Sequence, residues 1–292
     1  MNRNLKQNLN VASPFFSYND SFLLAGKEPG SIKDMFHFIF SGLDFAHKLD
    51  EKQRPTENYE KHLHYFHEIV YFVRGKVNYN VEGESKKLHN GDLVFIEAGR
   101  NHFAEVNLDD CYERYVLKFD SSLLPPYLQN RIGEIRTFHN LSPIIARIIN
   151  GLDLYVENHS KEETFILLES ELQKLLVFLL CDKKEIAGEY DENIAQIIEW
   201  IDLHIEEPIS LKRIASIFHY SSSQICNAFK KNVKMPLMRM VKAKKLIAAR
   251  KAIERGEKKN EVALRYSFEN YSTFYRLYVK AFRESPSGKK ID

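Results

Sequence analysis

The chain has 292 residues, 44% of them hydrophobic and 28% charged, with three cysteines and a formal net charge of +2. That length allows two domains, each with its own core, and the composition is that of a folded globular protein, not a disordered or fibrous one. The densest apolar run, Leu175–Leu180, is far shorter than the roughly 18 residues of a membrane span, and the opening MNRNLKQNLN has no apolar stretch of a secretory signal. Cys111, Cys181 and Cys226 are scattered without metal or redox spacing, so a reduced, cytoplasmic setting is expected. The small net charge hides a division. Residues 208–292 hold 20 Lys/Arg against 6 Asp/Glu, a net of +14, whereas residues 1–207 hold 22 against 34, a net of −12. Such asymmetry marks one part as meeting a polyanion, with nucleic acid the first candidate and an anionic membrane surface the second.

In chain order, short β-rich segments come first. EIVYFVR (Glu68–Arg74), VNYNVEG (Val77–Gly83) and GDLVFIEAG (Gly91–Gly99) are strands bounded by turn residues, which predicts a small β-barrel within residues 1–140, preceded by an N-terminal arm. The spacings His62-x-His64-x3-Glu68-x6-Gly75 and Gly91-x5-Glu97-x-Gly99-x2-His102 resemble the two cupin motifs, with Glu97 where proline is usual. His62, His64 and Glu68 share parity, so on one strand all three point into the barrel. His62, His64, Glu68 and His102 are taken as lining a small-molecule pocket, with Tyr65, Phe66, Tyr71 or Phe72 nearby for stacking or core. Two alternatives stay open: ligation of a divalent metal by the same four, and a purely structural role. His67, of opposite parity, is placed on the surface or in a turn.

Residues 141–181 turn helical. Leu168, Leu172, Leu175 and Leu179 form a heptad-like seam, which either pairs two chains or packs on the chain's own barrel. The polar residues 182–190 are the linker, and a helix from residue 191 opens a third part, 191–292, with Ile194, Ile197, Ile198, Ile201 and Ile205 facing inward.

This basic third contains an internal repeat. Ile214-Ala215 is followed by His219-Tyr220-Ser221, Ile225 and Phe229-Lys230; Val262-Ala263 is followed by Ser267-Phe268, Phe274, Tyr278 and Lys280. Each copy is a short helix, a tight turn and a second helix. Ser221 with Gln224 forms a capping box, and Asn270 is the second N-cap. Leu237–Glu254, free of Gly and Pro, is one long helix joining the copies. In YSFENYSTFYRLYVKAF (Tyr266–Phe282) the helical period puts Phe274, Leu277, Tyr278 and Phe282 on an inner stripe. Tyr271, Ser272, Tyr275, Arg276 and Val279 fall on the opposite face.

Through Leu211, Ala215, Ser221, Phe229-Lys230, Lys245-Leu246, Ala249, Ala263, Phe268, Phe274, Arg276, Tyr278 and Ser285-Pro286, this region resembles the DNA-binding domain of AraC/XylS-family transcription regulators. The resemblance implies base reading by Ser223, Cys226 and Asn227 in the first module and by Tyr271, Ser272, Tyr275 and Arg276 in the second. Lys230, Lys231 and Lys280 are placed on phosphates. Departures are His219 and Ser267 at turn positions, Arg283 before Ser-Pro, and Lys289-Lys290 at the close.

The expected fold is therefore a cupin-like β-barrel with helices, followed by an all-α double helix-turn-helix domain. The expected function is a sequence-specific regulator that binds double-stranded promoter DNA and responds to a small molecule, a sugar by preference. A homodimer, RNA polymerase as a further partner, no membrane partner, no cofactor and no enzymatic activity complete the expectation. A metal-dependent cupin enzyme fused to a DNA-binding domain and a ligand-independent DNA binder are the rivals.

Overall fold

The computed structural model describes residues 33–50, 61–107, 110–140, 142–182, 192–282 and 284–288. The expected N-terminal arm, all of the expected linker but Asp182, and the departures at Arg283 and Lys289-Lys290 lie outside the described residues.

The N-terminal part contains β1 (Lys33–Phe40), β2 (Leu43–Asp50), β3 (His67–Gly75), β4 (Val77–Val81), β5 (Glu84–Lys87), β6 (Leu93–Ile96), β7 (His102–Val106), β8 (Tyr112–Phe119) and β9 (Phe138–His139). They form a six-stranded sheet, β1-β2-β8-β3-β6-β9, and a three-stranded sheet, β5-β4-β7. Strand periodicity explains how the sheets pack. Along β3, Val70 and Phe72 face the small sheet and share a core with Val77, Tyr79 and Val81. Ile69 and Tyr71 face the other way, into a second core with the helices. The large sheet is thus covered on both sides. At the end of β3 a bulge shifts the pairing with β8, and Gly75 follows with φ 132°; a Cβ there would lie 2.2 Å from the Cys111 carbonyl oxygen. Only glycine fits both that backbone and that approach.

The covering helices are α1 (Pro126–Arg131), α2 (Pro143–Ile149), α3 (Leu152–Asn158) and α4 (Lys161–Cys181). Ser160 and Glu163 form a capping box that starts α4. Leu168, Leu172, Leu175 and Leu179 are all buried with Phe45, Ile69 and Phe95. Of the two readings of that seam, packing on the chain's own sheet is the one observed. These leucines face the sheet of their own chain.

The C-terminal part is helical: α5 (Glu192–Leu203), α6 (Leu211–Ile217), α7 (Ser222–Asn232), α8 (Leu237–Glu254), α9 (Lys259–Arg265) and α10 (Tyr271–Phe282). The repeat seen in the sequence is also a repeat of the backbone. Tyr220 N–H donates to the Ala215 carbonyl at 3.0 Å, and Phe268 N–H to the Ala263 carbonyl at 3.0 Å. The residue between is left-handed in both copies, His219 at φ 58° and Ser267 at φ 59°. This 6→1 bond with a left-handed residue is the ordinary way to end a helix sharply. The Ser221–Gln224 box starts α7, and Asn270 Oδ1 accepts from Thr273 N–H at the start of α10.

Candidate functional site

The second helix of each module presents its polar face to solvent. On α7, Ile225 and Phe229 are buried, while Ser223, Cys226, Asn227, Lys230 and Lys231 are exposed. On α10, Phe274, Tyr278 and Phe282 are buried, while Tyr271, Ser272, Tyr275, Arg276 and Lys280 are exposed. All ten side chains assigned to DNA from the sequence are therefore outward. Tyr271 and Tyr275, with ring centroids 6.3 Å apart, flank the same surface as Arg276. A guanidinium here can donate two bonds to guanine O6 and N7, and phenol rings can pack on thymine methyls.

The two modules are also tied to each other away from that face. Lys245, buried on α8, donates from Nζ to the Glu207 carbonyl at 2.6 Å and to the Tyr266 carbonyl at 3.0 Å. Ser267 Oγ donates to the Glu206 carbonyl at 2.6 Å. The loop that opens the first module is thus bonded to the turn of the second. Burial pulls the Lys245 ammonium down to about 8.

In the N-terminal part, His62, His64, Glu68 and His102 meet. One potential ligand atom from each lies within 4.8 Å of the other three. They do so without sharing a strand, which corrects the parity expectation. β3 begins only at His67, the chain bends at Tyr65–Phe66, and His62 instead bridges His102 through two backbone hydrogen bonds. His64 Nδ1 bonds the Phe66 carbonyl at 2.8 Å, and its Nε2 lies 2.7 Å from Glu68 Oε2. His102 Nδ1 bonds the Arg100 carbonyl at 3.0 Å, and its buried Nε2 lies 3.3 Å from the same carboxylate oxygen without a hydrogen bond. Burial pulls the His64 imidazole down to about 4, despite Glu68 beside it. Burial alone would raise the Glu68 carboxyl, but the facing His102 and His64 rings hold it well below its ordinary range. His67 is not at the surface, as parity had placed it. It is fully buried, its Nε2 2.9 Å from Ser121 Oγ and its Nδ1 accepting from Ala98 N–H. The physical reason is the second layer: the face of β3 that a lone sheet would expose is covered.

A family model for the AraC-like ligand binding domain matches residues 49–176, and one for a helix-turn-helix domain matches residues 214–289. Together the two span well over half of the sequence. The chain belongs to the AraC family of transcription regulators. The regulator is similar to the HTH-type transcriptional activator RhaS of Enterobacter sp. (strain 638), at 22% identity over 247 residues, covering 81% of this chain and 89% of RhaS. It is also similar to the HTH-type transcriptional regulator YobQ of Bacillus subtilis (strain 168), at 22% identity over 233 residues, covering 79% and 88% of the two chains. Among solved structures, ToxT from Vibrio cholerae aligns over 84% of this chain and 97% of its own, at 11% identity and a TM-score of 0.35. No helix among the regulator's described residues is long and apolar enough to cross a membrane.

The regulator's two halves share a core, which the sequence did not reveal. Leu63, Tyr65 and Phe66 are buried with the hydrophobic residues of α5 to α10. Around them, Lys244 on α8 pairs with Glu82 at 2.7 Å and with Asp202 at 3.0 Å. Burial alone would lower the Lys244 ammonium, but Glu82 and Asp202 raise it, so it stays charged. Asn101 Nδ2 donates to the Val233 carbonyl at 2.9 Å, Lys234 pairs with Glu105, and the Arg250 guanidinium lies 4.2 Å from the Tyr65 ring centroid. The only sequence sign was α8 itself: Lys244, Lys245 and Arg250 interleave with Ala243, Leu246 and Ala249, so its apolar residues cover more than one face.

Proposed function

We propose that the regulator binds promoter DNA as a homodimer through α7 and α10, and that a small effector held by the N-terminal part sets this binding. The observation that carries the reading is the placement of all ten assigned side chains on the outer faces of two helices whose modules are bonded to each other through Lys245 and Ser267. Rigid joining fits reading of two adjacent major-groove segments. Similarity to transcription regulators supports regulation in preference to turnover at the cupin-like cluster. A dimer brings four modules to paired half-sites, and contact with RNA polymerase is the further partner this reading allows. Selection of binding sites from random DNA tests it. The wild type should yield one motif, and Arg276→Ala should lose discrimination at one base pair at a cost of about 1–3 kcal/mol. An unchanged motif for that variant would overturn the assignment.

The donor atoms of His62, His64, Glu68 and His102 lie within 4.8 Å of one another, so a sugar bound there would lie against them and not between them. A second location is also open to it. A cleft of about 330 Å³ between β1 and the helices is lined by His37, Phe38, Ile39, Val156, His159, Lys161 and Thr164, mixing apolar surface with hydrogen-bonding groups. A thermal-shift screen of the full chain against mono- and disaccharides tests this location. A true ligand at 100 times its Kd stabilises by about 2.7 kcal/mol, and His159→Ala should abolish the shift. A sugar response that survives His159→Ala and Lys161→Ala would place the effector elsewhere.

A further inference from the structure

The hydrogen bonds around the four-residue cluster leave a chemical demand. A carbonyl oxygen only accepts, so the bonds to the Phe66 and Arg100 carbonyls require protons on Nδ1 of His64 and His102. That turns Nε2 of both rings to the cluster, where the Glu68 carboxylate faces them at 2.7 and 3.3 Å, and the buried Nε2 of His102 has no hydrogen-bond partner. Ring nitrogens and a carboxylate oxygen thus converge in a buried space. A cation among them would be within reach of all four residues. The backbone bonds that fix each ring are also what metal-bound histidines characteristically have on their second nitrogen.

The same short segment faces two ways. His62 and His64 turn to the cluster, whereas Leu63, Tyr65 and Phe66 enter the core of the DNA-binding part. Tyr65 packs its ring 5.4 Å from that of Phe282, the last residue of α10, and beneath Arg250 of α8. The His64 ring stacks on Phe66 at 3.8 Å. Across the cluster, Gly99 N–H donates to the His64 carbonyl at 2.7 Å, and a Cβ on Gly99 would stand 3.2 Å from Ile247 Cδ1 of α8. A ligand that draws the imidazoles together therefore moves residues in contact with the helix joining the two modules and with the end of the second reading helix.

We propose that His62, His64, Glu68 and His102 bind one divalent first-row transition-metal ion, and that residues 62–66 transmit its presence to α8 and α10, so that the ion is an effector of DNA binding. Three imidazoles and a carboxylate suit Zn(II), Ni(II), Co(II) or Fe(II) and disfavour Mg(II) or Ca(II), which take oxygen donors. The proposal rests on the regulator reading above, and it adds a metal ion as a second effector, at a site separate from the β1 cleft. The ion switches nothing unless it binds one arrangement of the two halves better than the other.

The test uses the full-length chain, treated with chelator and then titrated with Co(II) or Zn(II) alone. Equilibrium dialysis should give one ion per chain, and Co(II) should give visible d–d absorption bands. Glu68→Gln, checked for folding by circular dichroism, should lower ion affinity at least tenfold. Affinity for a DNA site selected by the wild type should differ at least fivefold between chelated and loaded protein. Tyr65→Leu should keep ion binding and lose that difference. A folded chain that takes up no Co(II) or Zn(II) would overturn the site. Stoichiometric uptake with DNA affinity unchanged within twofold would overturn the coupling. Failure to select any DNA in either state would instead overturn the regulator reading, while dialysis still decides the metal site.

Discussion

His219 and Ser267 occupy the same left-handed turn position in the two modules, and both are residues that such a backbone disfavours. Ser267 has a compensating bond, its Oγ to the Glu206 carbonyl at 2.6 Å. His219→Gly should therefore raise stability by about 1 kcal/mol, and Ser267→Gly should gain less or lose, as measured by urea denaturation. At this scale the sequence was informative wherever a helical period decided which side chains face out, as for Tyr271, Tyr275 and Arg276. It misled at His67, because strand parity says which residues share a face and not which faces are covered. It was silent on the Nδ1 bonds of His64 and His102, whose carbonyl partners lie two residues away in the chain and are aimed by the local backbone bend.

Helix α8 joins the two modules, and 11 of its 18 residues are buried, including Lys244, Lys245 and Arg250. Its boundaries were legible from the absence of Gly and Pro. The role of its lysines was not legible: Lys245 holds two carbonyls of different modules. The folded chain releases the Lys245 proton near pH 8, whereas the unfolded chain keeps it to about 10.5. The unfolded state therefore holds more protons between those values, and this group's contribution to stability rises as pH rises through that window. Lys245→Met should flatten the rise relative to wild type when Tm is compared at pH 8 and pH 10. At pH 7 the same variant should lose about 1–3 kcal/mol, because two buried carbonyls are left unpaired.

Across the whole molecule, the N-terminal sheets and the C-terminal helices are bonded through groups far apart in sequence: Glu82 with Lys244, Asn101 with Val233, Tyr65 with Arg250 and Phe282. None of these pairs carries a periodic or local signal, so one sequence alone could give each half and not their joint. Lys244→Met leaves Glu82 buried, with Arg100 3.7 Å away, and should cost about 3 kcal/mol. In calorimetry the wild type should melt in one transition, and this variant should separate into two. Lys230→Ala or Lys280→Ala should weaken all DNA binding evenly and lower the salt dependence by about one ion, without altering the selected sequence.

The most direct test of the central claim, that two rigidly joined modules read one DNA site, is a hydroxyl-radical and base-methylation footprint of the full chain on a selected site. The account predicts two protected major-groove segments per chain, spaced by one helical turn of about 10 base pairs. Asn227→Ala should weaken one segment and Arg276→Ala the other. A single protected segment, or loss of the same bases in both variants, would contradict it.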